Sequence, residues 1–69
     1  MFQVLKNGEK IAFTVFYANM SDSAKGREYR SILFTRAKTS NAKIFAIGKN
    51  RIAIEDRSGK TDLYEIIAG

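Results

Sequence analysis

The last third of the chain contains three short runs rich in apolar residues, at positions 43–47, 51–56 and 60–67. Short apolar runs bounded by polar and glycine residues predict β-strands, and the residues between the runs predict two tight turns. We therefore expect an antiparallel meander here, with the rest of the chain closing over it.

The pairing of the first two strands depends on the turn between them. A two-residue turn at positions 49–50 predicts three cross-strand pairs, which are Ile47 with Ile52, Phe45 with Ile54, and Lys43 with Asp56. Opposed side chains of this kind stabilise a sheet by about 0.2–1 kcal/mol per pair.

The second turn can be placed by its charges. An even-length loop would set Glu55 against Asp62, so we favour a three-residue loop at 57–59 with Gly59 in the left-handed conformation. The resulting pairs are Asp56–Lys60, Ile52–Tyr64 and Arg51–Glu65. One face then carries Phe45, Ile47, Ile52, Ile54, Tyr64 and Ile66, and the other carries Ile44, Ala53, Leu63 and Ile67 among charged residues.

Asn7-Gly8 is a strong two-residue hairpin signal, because both positions tolerate positive φ. It lies between two more predicted strands, Phe2–Lys6 and 9–18. The expected pairs are Lys6 with Glu9, Val4 with Ile11, and Phe2 with Phe13.

The segment between this hairpin and the meander is ambiguous. Polar residues at 19–27 and 37–42 predict loops. As a helix, residues 28–37 would align Tyr29, Ile32, Leu33 and Arg36, with Ser21 or Ser23 as a cap. We favour a strand, because these residues are rich in β-branched and aromatic types and Gly26 would interrupt an earlier helix start.

Together these elements predict one all-β domain over residues 1–69. Its architecture would be a strongly bent antiparallel sheet of about six short strands, rolled into a small barrel that protects its edges. The alternative is an α+β domain in which a helix at about 24–37 packs on an antiparallel sheet.

The amino-acid composition limits the kinds of covalent bond and metal site that the chain can form. The chain has no cysteine and no histidine, so disulfides are excluded and the commonest metal ligands are absent. It has no apolar run near the roughly 18 residues of a membrane span, and no leader sequence. We expect a cytoplasmic protein with no membrane partner, no metal and no cofactor.

Catalysis is not expected either. Without histidine, the usual general base for a serine or threonine nucleophile is missing. Gly59-Lys60-Thr61 resembles the end of a phosphate-binding loop, but Ile54 stands where that motif needs its first glycine. A hairpin turn explains these three residues.

The net charge of +5 is unevenly distributed along the chain. Residues 25–51 hold eight cations and one anion, whereas residues 52–69 hold two cations and four anions. Such asymmetry predicts a polyanionic partner and says nothing about the fold.

Two functions fit this basic segment. The first is non-catalytic binding of single-stranded DNA or RNA, with cations on the phosphates and Tyr29 stacked on a base. The residues expected to bind are Lys25, Arg27, Tyr29, Arg30, Arg36, Lys38 and Lys43. The second is a protein-interaction module, an inhibitor or regulator of the kind phages and mobile elements make, which docks on an acidic host protein surface. The second face of the predicted meander, which carries Ile44, Leu63 and Ile67, also permits a homodimer.

Overall fold

The computed structural model describes residues 1–11 and 19–68. In chain order these residues form β1 (Phe2–Lys6), β2 (Glu9–Lys10), α1 (Asp22–Thr39), β3 (Lys43–Ile47), β4 (Arg51–Glu55) and β5 (Thr61–Ala68). The five strands make one antiparallel sheet in the order β2-β1-β5-β4-β3. Helix α1 packs on one face of this sheet, which we call the helix face.

Helix α1 corrects the prediction for residues 19–42, where we expected a strand between two loops. Ser21 caps the helix, since its Oγ accepts a bond from the backbone N–H of Ala24 at 3.2 Å. At the other end, Asn41 takes a left-handed conformation (φ 56°), and the N–H of Ala42 donates to the carbonyl of Ala37 at 2.8 Å. The structure therefore has the helix of the α+β alternative, and among the described residues the sheet is open and not closed into a barrel.

The helix buries a narrow stripe of residues spaced three or four apart, namely Gly26, Tyr29, Leu33 and Ala37. Two of the four are small, so the stripe gives little helical periodicity in hydrophobicity. Gly26 does not interrupt the helix. It lies where α1 touches β5, and a Cβ added there would lie 3.5 Å from the side chains of Ile66 and Ala68.

The core lies between α1 and the helix face. Val4 and Ile52 are fully buried, and Leu33, Ile66 and Tyr29 are 2%, 4% and 7% exposed. The partly buried side chains around them are Phe2, Ile11, Ile44, Ile54 and Tyr64.

Two of the three predicted hairpin registers are confirmed. Strands β4 and β5 pair as expected, including Arg51 with Glu65 and Ile52 with Tyr64, and Gly59 takes positive φ (88°). In the first hairpin, Lys6 pairs with Glu9, and Ile11 donates its N–H to the carbonyl of Val4 at 3.1 Å. The predicted Phe2–Phe13 pair, and the rest of the strand at 9–18 beyond Ile11, lie outside the described residues.

The register predicted between β3 and β4 is wrong by one residue. The observed pairs are Ile47 with Arg51, Phe45 with Ala53, and Lys43 with Glu55. Gly48 takes positive φ (73°), and the connection has three residues, 48–50, instead of two. Because a one-residue slip moves every side chain to the other face, Ile44 packs on the core, while Phe45 and Ile47 lie on the face away from α1.

Asn7 does more than form the β1–β2 turn. Its Oδ1 accepts the N–H of Leu63 at 2.8 Å, its Nδ2 donates to Asp62 at 3.0 Å, and its backbone N–H donates to the carbonyl of Leu63 at 2.7 Å. These bonds attach the turn to β5, so Asn7 holds two parts of the chain together at one end of the sheet.

Candidate nucleic-acid interface

One side of α1 carries a line of cations with an aromatic ring among them. Arg27, Arg30, Phe34 and Lys38 are three or four residues apart and therefore lie along one side of the helix, which we call the basic strip. Arg27, Phe34 and Lys38 are exposed and Arg30 is half-buried. From Arg27 to Lys38 the strip extends about 16 Å, at about 1.5 Å per residue.

Arg30 is held in place by two contacts. Its Nη1 donates to the carbonyl oxygen of Lys49 at 2.8 Å, which connects α1 to the turn between β3 and β4. Its guanidinium lies 5.2 Å from the ring centroid of Phe34, within the range of a cation–π interaction. Because a guanidinium carries five N–H donors, Arg30 keeps donors for a ligand after these contacts.

A cleft of about 690 Å³ lies between the first half of α1 and the β3–β4 turn. Arg27, Arg30 and Lys49 supply its cations, and Ser23 and Asn50 supply polar groups. Its apolar lining comes from Gly26, Ile66 and Ala68. The cleft adds Lys49 to the charge of the basic strip, so cations from two parts of the chain come together here.

No carboxylate neutralises the strip within the described parts of the chain. The ion pairs found there join the Met1 ammonium to Asp22 at 2.8 Å, Lys25 to Asp22 at 3.8 Å, and Lys6 to Asp62 at 4.0 Å. None of these pairs includes a cation of the strip or Lys49. The positive charge on this side is therefore available to an anionic ligand.

The structure separates the residues that we expected to form one site. It brings Arg27, Arg30 and Lys38 together on the basic strip. Lys25 is half-buried and pairs with Asp22. Arg36 is exposed in the last helical turn, where a cation also stabilises the negative end of the helix dipole.

Two further predicted site residues lie elsewhere. Lys43 belongs to the face away from α1, where its cross-strand neighbour is Glu55. Tyr29 is a core residue, 7% exposed, so the expectation that it offers an exposed ring for stacking is wrong. The helix places Tyr29 on its buried stripe and presents Phe34, 38% exposed, among the cations instead.

Sequence reasoning missed Phe34 and Lys49. The spacing of Arg30 and Phe34, four residues apart, would have pointed to Phe34 if residues 28–37 had been taken as a helix. Lys49 had no such signal, because its approach to Arg30 depends on how the β3–β4 turn packs against α1.

Two carboxylates, Asp22 and Asp56, have lowered pKa values because of contacts that stabilise the fold. Hydrogen bonding to the Ser58 hydroxyl (2.6 Å) and to the Lys60 N–H (3.0 Å) holds the pKa of Asp56 below its usual value. The pKa of Asp22 is also lowered, chiefly by its bond to the Met1 ammonium. Both groups stabilise chain ends or turns. Within residues 1–11 and 19–68, no three acidic, histidine or cysteine side chains cluster as metal ligands would.

No helix in the described portion is both long and apolar enough to cross a bilayer. No protein-family model matches the chain, and searches of curated proteins and of solved structures also found no match. The site must therefore be interpreted from its own geometry.

Proposed function

We propose that this chain is a non-enzymatic, cytoplasmic protein that binds nucleic acid through the basic strip and Lys49. The observation that carries the proposal is the alignment of cations lacking carboxylate partners beside an exposed ring, Phe34. Cations of this kind follow phosphates, and an aromatic ring accepts a stacked base, which contributes about 1–3 kcal/mol.

Single-stranded DNA or RNA suits this surface better than a duplex. Phe34 can stack only on a base that is not already paired and stacked within a duplex. The strip is about 16 Å long, which matches about five phosphates at the roughly 3.4 Å spacing of stacked nucleotides. A short unpaired segment would therefore occupy the whole strip.

The test is a fluorescence anisotropy titration with labelled single-stranded DNA, RNA and duplex, each about ten nucleotides long, twice the length that the strip contacts. The double variant Arg27→Ala with Lys38→Ala removes two cations from the strip. Its control, Lys43→Ala with Arg57→Ala, removes the same charge from other surfaces. We expect the strip variant to bind about tenfold more weakly, since two surface charge contacts contribute about 0.7 kcal/mol each.

The control variant should bind nearly as tightly as the unmodified protein. An equal loss in both double variants would show that only net charge matters and would contradict the proposed site. Absence of binding to all three ligands at low salt would refute the function itself.

Phe34→Leu distinguishes nucleic acid from an acidic protein surface. Leucine keeps an apolar side chain but cannot stack on a base, so the variant should lose affinity for single strands while keeping its charge. If the strip instead docks on an acidic protein, pull-downs from nuclease-treated lysate should retain that partner and the leucine variant should capture it equally well.

A further inference from the structure

The sheet face opposite α1, which we call the open face, exposes large apolar side chains. Phe45, Ile47 and Leu63 are 49%, 52% and 37% exposed. Phe45 and Leu63 flank Ala53 in one cross-strand row, so the apolar residues are contiguous. None of the described elements packs on this face. Contiguous exposed apolar surface of this kind marks an interaction site.

The charges that β3, β4 and β5 place on the open face are balanced, unlike those of the basic strip. Arg51 and Glu65 are cross-strand neighbours, and so are Lys43 and Glu55. Strands β3, β4 and β5 place two cations and two anions on this face, so this part of it has no net charge, and Lys10 on the edge strand β2 adds one cation. A strongly charged partner would gain little electrostatic attraction from this face. A surface with the same alternation of charged and apolar residues would be complementary to it.

We propose that the partner is a second copy of this chain, packed open face to open face. A two-fold axis parallel to the strands, between β4 and β5, brings each residue of β5 opposite the residue of β4 with which it pairs in its own sheet. Arg51 then meets Glu65 of the second copy, twice by symmetry, and Leu63 meets Ala53 of the second copy. Phe45 and Ile47 fill the space between the sheets, which pack about 10 Å apart.

The area of the open face limits how strongly two copies of the chain can associate. Four strands about 4.8 Å apart, each contributing about five residues of 3.4 Å, cover about 320 Å² in plan. This area is smaller than the roughly 800 Å² that each partner buries in a standard interface. We therefore expect a weak dimer that dissociates on dilution.

Sedimentation velocity on nuclease-treated protein tests the proposal. With increasing concentration, the mass should rise from 7.8 kDa towards twice that value. Phe45→Ser with Ile47→Thr should weaken self-association at least tenfold, and because both side chains are exposed, the fold should survive. The matched control is Phe34→Ser, since that ring is similarly exposed but lies on the helix side. A protein that stays monomeric at every concentration, or a control that dissociates as readily, would overturn the proposal.

Charge reversal tests the geometry of the pairing. Arg51→Glu sets two glutamates against each other across the interface, and Glu65→Arg sets two arginines against each other, so each variant alone should associate at least tenfold more weakly. An equimolar mixture restores opposite charges at both contacts and should recover the dimer. Circular dichroism confirms that each variant is folded. If both variants are folded and their mixture stays monomeric, the proposed arrangement is wrong.

Discussion

Salt dependence gives the sharpest quantitative test of the basic strip. Four cations, Arg27, Arg30, Lys38 and Lys49, are placed to neutralise phosphates on one side of the molecule. Each phosphate contact releases counterions and contributes about −0.7 to the slope of log affinity against log salt for a single strand. Four contacts predict a slope of about −2.8, which is about a 50-fold loss of affinity between 50 and 200 mM salt.

Removing one contact should change this slope by a defined amount. Arg27 is exposed and lies in none of the ion pairs seen among the described residues, so Arg27→Ala should leave the fold intact. Its slope should fall to about −2.1, which corresponds to about an 18-fold loss over the same salt range. Arg57→Ala, which removes another exposed cation, in the β4–β5 turn, should keep the slope of about −2.8.

The measurement is a series of anisotropy titrations of one single-stranded oligonucleotide at several salt concentrations. Each variant is followed by circular dichroism under the same conditions. A slope shallower than about −1 for the unmodified protein would mean that the strip does not act as a unit. Equal slopes for the two variants would show that Arg27 contacts no phosphate, and the reasoning from the helix geometry would then fail.

Three further predictions concern stability. Leu33→Ala should lower the free energy of unfolding by about 2–5 kcal/mol in urea titrations, because Leu33 fills the core, whereas Phe34→Ala on the exposed side should cost less than about 1 kcal/mol. Asn7→Gly should lose about 1 kcal/mol through missing side-chain bonds, and Asn7→Ala about 1 kcal/mol more, because Asn7 has positive φ (53°). Asp56→Asn should be less stable than the unmodified protein at neutral pH. Since the pKa of Asp56 is lowered from its usual 3.8 in the fold, this difference should shrink as pH falls below 3.8, as thermal unfolding at several pH values will show.

The parts of the fold that could be predicted depend on residues with restricted backbone conformations. Asn7, Gly8 and Gly59 all take positive φ, and the turns built on them have the expected lengths and registers. At these positions, the positive φ that the turn requires and the cross-strand pairs that the sequence favours predict the same register. Local sequence was therefore sufficient for two of the three hairpins.

The β3–β4 register could not be obtained in this way, because β3 lacks alternation. Its residues Ile44, Phe45, Ala46 and Ile47 are apolar at both parities, so either register pairs apolar side chains with apolar neighbours. The length of the loop after Ile47 therefore decides which register the two strands adopt. A two-residue loop at 49–50 and a three-residue loop at 48–50 both fit these residues.

The helix was missed for a different reason. Its buried stripe contains only two large side chains, Tyr29 and Leu33, so β-branched and aromatic content outweighed the helical spacing. Charge along the chain led us to predict Arg27 and Lys38 as site residues, but it could not tell which cations share a side of the molecule. Only the helix, together with the turn that Arg30 contacts, decides that question.

The two proposed surfaces lie on opposite sides of one sheet, and this separation has a measurable consequence. Strand β3 belongs to the sheet edge, where one residue of slip would turn Phe45 towards α1 and Ile44 away from it. The observed register leaves the larger side chain on the open face, while the cations without carboxylate partners lie beside α1. A dimer formed through the open face leaves both basic strips accessible. Substitutions at Phe45 should therefore lower the mass of the assembly in sedimentation and leave the affinity of each site for nucleic acid unaltered. Substitutions at Arg27 should weaken nucleic-acid binding and leave the mass of the assembly unaltered.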